Sequence, residues 1–395
     1  VITARAPGSS ARDLERASES GMTCPNDRPR PSGLARLAFA AVLAASALLP
    51  VDPAVAQNVT GAGSTFVQPL LNRWSQAYLR SQWTAESQAV GGLDYEAVGS
   101  QAGIMRMKDR AVDFGATELP LASEEITRYR LVQFPVAIGG VITAVNLPGV
   151  DAGKLKLTGE LIADIYLGKV KRWSDPPLKA LNPDLALPDA DITVVRRSDG
   201  SGTTFAFTSF LSKSNTAWRS VGAGLTVNWP LGTSAKGNGG VAEMVRGTPN
   251  SIGYVDFATA KRAGLSGPAL RNRSGIFVPP SPASFQAAAV EAEWSKSSDF
   301  GVSLVDAPGE AAYPIVAVTF VLVPDGKPSS ASTAATIAFF DWALESGARA
   351  ASELDYVPLP ASVVDQVRRH WADKLDLQPT SGARAAVSRG ARPGL

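Results

Sequence analysis

Between Val194 and Phe205 the chain reads Val-Val-Arg-Arg-Ser-Asp-Gly-Ser-Gly-Thr-Thr-Phe, which places a guanidinium (Arg197), a carboxylate (Asp199) and hydroxyls (Ser201, Thr203) around two glycines (Gly200, Gly202). These residue types can hold a tetrahedral oxyanion. A β-branched run (Ile192, Val194, Val195) enters the segment, and Phe205, Phe207, Phe210 and Leu211 leave it at helical spacing, which predicts a helix start at Ser201 to Thr203. The first backbone N–H groups of a helix lack intrahelical acceptors and sit at the positive end of the macrodipole, so that start favours an anion. Arg197 would add a planar fork and Asp199 could steady it. Taken alone, the segment fits a plain capped turn with a surface ion pair equally well.

Two further segments put hydroxyls at helix starts. Thr60-Gly61-Ala62-Gly63-Ser64-Thr65-Phe66 reads as a glycine loop that opens a helix bearing Val67, Leu70, Leu71, Trp74 and Tyr78 on one stripe, and Ser100 opens another through Ile104 and Met107. A dinucleotide fingerprint is excluded, because Phe66 stands where the third glycine belongs and no strand of useful length precedes the loop. Enzymatic chemistry finds few parts. His370, the one histidine, lies between Arg369 and Trp371 and reads as a surface residue, so neither a Ser-His-Asp triad nor a histidine-rich metal site can be assembled. Asp189-Ala190-Asp191-Ile192-Thr193 matches the nucleophile string of haloacid-dehalogenase-type phosphatases, but there the apolar strand should precede the acids and here it follows them. Trp173 reads as packing. No catalytic residue, metal site or cofactor is predicted.

The chain of 395 residues carries 38 Lys+Arg against 36 Asp+Glu, a net +2 with no large basic face, which argues against nucleic acid as a partner. The short basic groups, Lys169-Lys171-Arg172 and Arg368-Arg369, read as solvated faces. Arg28, Arg30 and Arg36 precede an apolar run from Leu37 to Leu49 and the triplet Ala54-Val55-Ala56, which predicts a secretory signal peptide over 1–56 and a mature chain from Gln57. Met22 would make a better-proportioned start, so residues 1–21 read as a start-site artefact. The single cysteine, Cys24, lies upstream of the apolar run, so the exported chain would have neither a disulfide nor a lipid anchor on cysteine.

Apolar runs at 132–136, 141–145, 192–195, 252–255 and 315–323 alternate with amphipathic patterns, including 335–344 and the stripe Val363, Val364, Val367 and Trp371. This is an α/β chain. Turn chemistry after Asn146 and the Tyr313-Pro314 step mark crossings between two domains, the first of them discontinuous. The stretch 380–395, of Ala, Gly, Ser and Arg, is predicted to be a disordered tail.

The segments TGAGSTF (60–66), VDFGATELPL (112–121), QFPVAIGGV (133–141), IYLGKVKRW (165–173), VVRRSDGSGTTF (194–205), KGNGG (236–240), IGYVDFA (252–258) and LDYVPLPASVVDQVR (354–368) together resemble the periplasmic phosphate-binding proteins of the high-affinity phosphate ABC importer, the PstS family. The resemblance spans nearly all of 58–372. It implies a two-lobed periplasmic binding protein of type II, each lobe a central sheet flanked by helices and the two hinged by crossover strands, with lobe I at 57–146 plus 317–379 and lobe II at 147–316. It implies a monomer that closes on one inorganic phosphate and delivers it to the transmembrane subunits of an ABC permease with a cytoplasmic ATPase. The family's phosphate contacts fall on Ser64, Thr65, Phe66, Ser100, Glu118, Arg197, Ser201, Gly202 and Thr203, with Asp199 steadying the arginine. Aspartate is usual where this chain has Glu118, so its carboxyl group reaches one methylene further. An ionised acid can only accept, which would reward an anion that still carries a proton and repel one that does not. Another oxyanion or a phosphate ester stands as the alternative ligand, and a secreted phosphatase as the alternative class.

Overall fold

The computed structural model describes residues 58–82, 91–290, 292–296, 299–326 and 329–375. The expected signal peptide, the Gln57 start and the 380–395 tail lie outside them. In chain order the elements are β1 (Val59–Gly63), α1 (Gln68–Gln82), β2 (Leu93–Glu96), α2 (Ser100–Lys108), β3 (Phe114–Thr117), α3 (Ser123–Tyr129), β4 (Leu131–Asn146), β5 (Lys156–Leu157), α4 (Gly159–Tyr166) and α5 (Pro176–Leu181). There follow β6 (Thr193–Arg197), α6 (Gly202–Ser214), β7 (Thr233–Ala235), α7 (Gly237–Gly247), β8 (Ser251–Asp256), α8 (Phe257–Arg262), β9 (Ala269–Arg271), β10 (Phe277–Val278) and α9 (Pro282–Val290). The last elements are β11 (Val316–Pro324), α10 (Ala331–Ser346), α11 (Ala348–Glu353) and α12 (Ala361–Lys374).

The principal sheet runs β2-β1-β3-β11-β4-β8-β6-β7, and β10-β9-β5 form a small second sheet. It is an α/β, two-lobed architecture in which the lobes share one strand. β4 is buried along its length apart from Asn146, as expected of a strand covered on both faces. Its first part, Leu131 to Gly140, pairs antiparallel with β11, and its second, Val141 to Asn146, pairs antiparallel with β8. The runs 132–136 and 141–145 are therefore one strand where the sequence suggested two. Gly139 and Gly140 interrupt the apolar pattern without interrupting the ladder, because the rings of Phe66 and Phe285 lie where their side chains would be. The exchange of partners falls inside this strand, ahead of the turn after Asn146. On the return path, Ile315 accepts from the Val141 N–H at 2.8 Å just before β11 begins.

A second correction concerns the first glycine segment. Val59 to Gly63 form β1, parallel to both β2 and β3, so its glycines belong to a strand and only Ser64 to Val67 form the turn into α1. The small residues are there for close packing, since Gly61 lies against the Phe114 ring and Gly103 of α2 lies against Gly63. Among the described residues no helix is long and apolar enough to cross a membrane.

Gly140→Ala would set a methyl group 2.2 Å from the buried Phe285 ring, which is itself packed edge-on against Phe257 and Tyr313. We expect a loss of about 1–3 kcal/mol in urea unfolding, partly recovered in the Gly140→Ala/Phe285→Leu double variant; no recovery would contradict this packing. Asp256 closes β8 beside the partner exchange. Its Oδ1 accepts from the Thr259 N–H at 2.8 Å and its Oδ2 is buried without a partner among the described residues, and burial pushes its carboxyl group up to about 6. The folded state thus holds this proton more tightly than an unfolded chain with an ordinary value of about 3.9. Stability from this group is full below about pH 4 and declines as pH rises through about 6. Asp256→Asn should gain on the wild type in melting temperature across that window; a difference independent of pH would contradict the assignment.

Candidate functional site

β6 ends at Arg197, and the turn that follows leads into the first turn of α6. Ser201 is the N-cap, its Oγ accepting from the Thr204 N–H at 3.2 Å, while its own N–H donates to Leu225 O at 2.8 Å. Arg197 is only 3% exposed, so the surface ion pair that the segment alone could have been is excluded. Its Nε donates to Asp199 Oδ1 at 2.8 Å, its Nη2 to Asp199 Oδ2, and its Nη1 to Asn238 Oδ1 at 2.9 Å. Burial works against the ionised form of Asp199, but the Arg197 hydrogen bonds and charge outweigh it and hold the carboxyl group below its ordinary value. The clamp is braced from behind. The Arg197 N–H donates to the Tyr254 hydroxyl at 3.1 Å, which also shares a hydrogen bond with Thr204 Oγ1 at 2.7 Å.

The opposite wall holds Ser64 to Phe66 after β1, Ser100 at the first residue of α2, and Glu118 one position beyond β3. Glu118 is buried and collects hydroxyls. Its Oε1 accepts from Ser64 Oγ at 2.5 Å and Thr319 Oγ1 at 3.1 Å, and its Oε2 accepts from Ser100 Oγ at 3.0 Å. Burial raises its carboxyl group above the ordinary value, against the pull of these three hydroxyls and of the Arg197 charge. The Phe66 N–H donates to Ser64 Oγ at 3.0 Å and the Tyr95 hydroxyl donates to Ser64 O at 2.8 Å, which fixes the turn.

The two walls touch. The Gln101 N–H donates to Gly200 O at 3.1 Å, the Gly202 N–H to Ser100 Oγ at 2.9 Å and the Asn238 N–H to Thr65 Oγ1 at 3.3 Å. A Cβ on Gly202 would fall 2.1 Å from Glu118 Oε2, so glycine is required there for the acid to reach the helix start. A hydroxyl has one proton to give. Those of Ser64 and Ser100 go to Glu118, whereas Thr65, Ser201 and Thr203 serve as acceptors, from Asn238 N, Thr204 N and Asn238 Nδ2, and keep theirs. Of the five guanidinium donors, Arg197 spends three on Asp199 and Asn238. Spare donors on one side thus stand against an acceptor-only carboxylate on the other.

The nine site residues read from the sequence, with Asp199, come together in one hydrogen-bonded cluster. Sequence reasoning passed over Asn238 and Thr319. Asn238 lies in the glycine-rich start of α7 and could have been found as a fourth polar helix start; Thr319 interrupts the apolar run of β11, which is a fainter signal. The other candidates lie elsewhere. Asp189 and Asp191 are exposed and paired to Arg172, Lys169 pairs with Asp164, and Arg368 pairs with Asp341 and Glu345. Trp173 is fully buried, its Nε1 donating to Asn250 O at 3.0 Å. His370 corrects the surface reading: α12 turns it half-inward, its ring edge-on to Phe300, and burial lowers its basicity. Among the described residues no group of three His, Cys, Asp or Glu side chains could hold a metal ion.

Residues 50–346 match the PBP superfamily domain. The phosphate-binding protein PstS of Haemophilus influenzae is 45% identical over 323 residues, which cover 82% of this chain and 95% of that protein. The chain belongs to the PstS family. The phosphate-binding protein PstS of Methanocaldococcus jannaschii is 35% identical over 76% of this chain and 82% of its own length. The fold is shared with a high affinity periplasmic phosphate-binding protein bound with phosphate, at a TM-score of 0.60 and 18% identity, covering 86% of this chain and 100% of that one. It is shared too with a putative phosphate ABC transporter substrate-binding protein from Clostridium perfringens, at a TM-score of 0.55 and 21% identity, covering 77% of this chain and 100% of that one.

Asp199→Ala would strand a buried guanidinium, and we expect a loss of about 3–5 kcal/mol in urea unfolding at neutral pH. Because Asp199 is held below its ordinary value, its contribution is full above about pH 4 and disappears as pH falls through the lower folded value. The deficit should therefore shrink in acid, and a pH-independent deficit would contradict the clamp.

Proposed function

We propose that this protein is an exported, periplasmic solute receptor, non-enzymatic and monomeric, that captures inorganic phosphate between its lobes and delivers it to an ABC import permease and its ATPase. One observation carries the reading: Glu118, an acceptor-only group, stands against the start of α6 beside the Arg197 fork, so the cleft offers donors to a tetrahedral anion together with one acceptor for a proton on it. Ser64, Thr65, Phe66, Ser100 and Glu118 contribute from lobe I and Arg197, Ser201, Gly202 and Thr203 from lobe II, with Ser64 and Ser100 also holding the acid. Lobe I corresponds to 57–146 with 317–379 and lobe II to 147–316, and we place the hinge where β4 exchanges partners at Gly140 and Val141, opposite Ile315. Binding would then couple to closure of the cleft. The relatives named for phosphate binding support the ligand. Against a phosphatase, no base among the described residues accepts the Ser201 Oγ proton, and the histidine lies in α12.

Calorimetric titration of the mature protein with phosphate tests this. Arg197→Ala should weaken binding by about 2–5 kcal/mol, because it removes charge-assisted bonds from a closed cleft. Wild-type affinity in that variant would refute the role.

A further inference from the structure

The extra methylene of Glu118 has to be absorbed somewhere, and the sheet register shows where. β11 runs antiparallel to β3 with Phe320 opposite Thr117, so the next step of the same ladder sets Thr319 across from Glu118. Cross-strand neighbours on one face lie within reach of each other. On its other side β11 changes register with β4 between Thr319 and Phe320, where Thr319 faces Ala137 and Phe320 faces Pro135. Proline has no N–H to give to a ladder, which accounts for an irregularity at that position. Thr319 is fully buried within an otherwise apolar strand, a costly place for a hydroxyl unless it has a partner. Its partner is Glu118 Oε1, at 3.1 Å.

A carboxylate offers about four acceptor positions. Ser64 and Thr319 occupy two on Oε1, and Ser100 occupies one on Oε2. One position is left, on the oxygen that faces Gly202. We propose that Thr319 is a positioning residue for ligand selectivity: by donating to Oε1 it turns Oε2 toward the α6 start and leaves Glu118 a single place for a ligand proton. This rests on the phosphate-binding reading above. The same hydroxyl stabilises the ionised form of the acid, and so keeps the acid an acceptor to lower pH than it would otherwise be. Facing the carboxylate are Arg197 from β6, whose charge acts in the same sense, and the buried hydroxyls of Tyr95 from β2 and of Tyr356 from the segment ahead of α12, which its charge disfavours from ionising. Once protonated, Glu118 would become a donor and admit a fully ionised tetrahedral anion.

The test is calorimetric titration of ligand-free mature protein with phosphate and with sulfate between about pH 4 and pH 8, in the wild type, Thr319→Val, Thr319→Ala and Thr319→Ser. The wild type should prefer phosphate at neutral pH and lose that preference in acid. In Thr319→Val the loss should move upward by about one pH unit, about tenfold in the phosphate-to-sulfate ratio on the falling limb, and Thr319→Ser should restore the wild-type profile. Thr319→Ala, with less bulk and no β-branch, should behave as the valine variant does and stands in for it if that chain does not fold. Variants that bind phosphate with a profile superimposed on the wild type's, or a serine variant that behaves like valine, would overturn the inference alone. A wild type that binds no phosphate would overturn the binding reading and this inference with it.

Discussion

An ionised carboxylate shut away from water must be given hydrogen-bond donors, and the arrangement around Glu118 follows from meeting that demand. Three hydroxyls reach it from three different elements: Ser64 from the turn after β1, Ser100 from the start of α2, and Thr319 from β11. Each is buried, and each would be a liability in an apolar interior without this acceptor. The acid in turn depends on Gly202, since any side chain there would occupy its carboxyl group. Across the cleft the same logic runs with the signs reversed. Arg197 is a buried cation whose partners, Asp199 and Asn238, come from the turn after β6 and from the start of α7. Two buried charges of opposite sign, each satisfied mostly from its own wall, thus face one another across the contact between the walls.

The scaffold's part is to bring these walls together. One continuous strand does most of this, because β4 belongs to the first half of the sheet up to Gly140 and to the second from Val141 onward. Its glycines admit the Phe66 and Phe285 rings on the two sides of the exchange, so the crossing is packed as well as paired. The Tyr356 hydroxyl donates to Phe66 O at 2.5 Å, which ties the turn after β1 to the segment ahead of α12. Tyr254 performs the equivalent service behind Arg197, stacked at 4.3 Å on Phe207 of α6.

Much of this was legible in the residues themselves. The strand into Arg197, the cap at Ser201 and the apolar stripe of α6 followed from periodicity and helix-start chemistry, and they lie where those rules put them. The resemblance to the PstS family then gathered Ser64, Ser100 and Glu118 to the same cleft, which local pattern could not do, because the partners are separated by long stretches of chain. What escaped the reading was set by register and by close approach. Gly139 and Gly140 looked like a break because their packing is supplied by distant rings, and Thr60 to Gly63 looked like a loop because small residues in a strand resemble a turn until a helix is seen lying against them. Thr319 was hidden for a related reason: a threonine in a β-branched run looks like good strand chemistry, and only the ladder to β3 shows what its hydroxyl faces. His370 looked exposed between polar neighbours, yet its place on α12 turns it toward Phe300.

The central claim is that the cleft asks whether a tetrahedral anion still carries a proton. The most direct measurement is competition at neutral pH between phosphate, which retains a proton there, and sulfate, which does not, for the ligand-free protein. The structure predicts that excess sulfate leaves phosphate binding essentially unchanged; sulfate displacing phosphate at comparable concentration would contradict it.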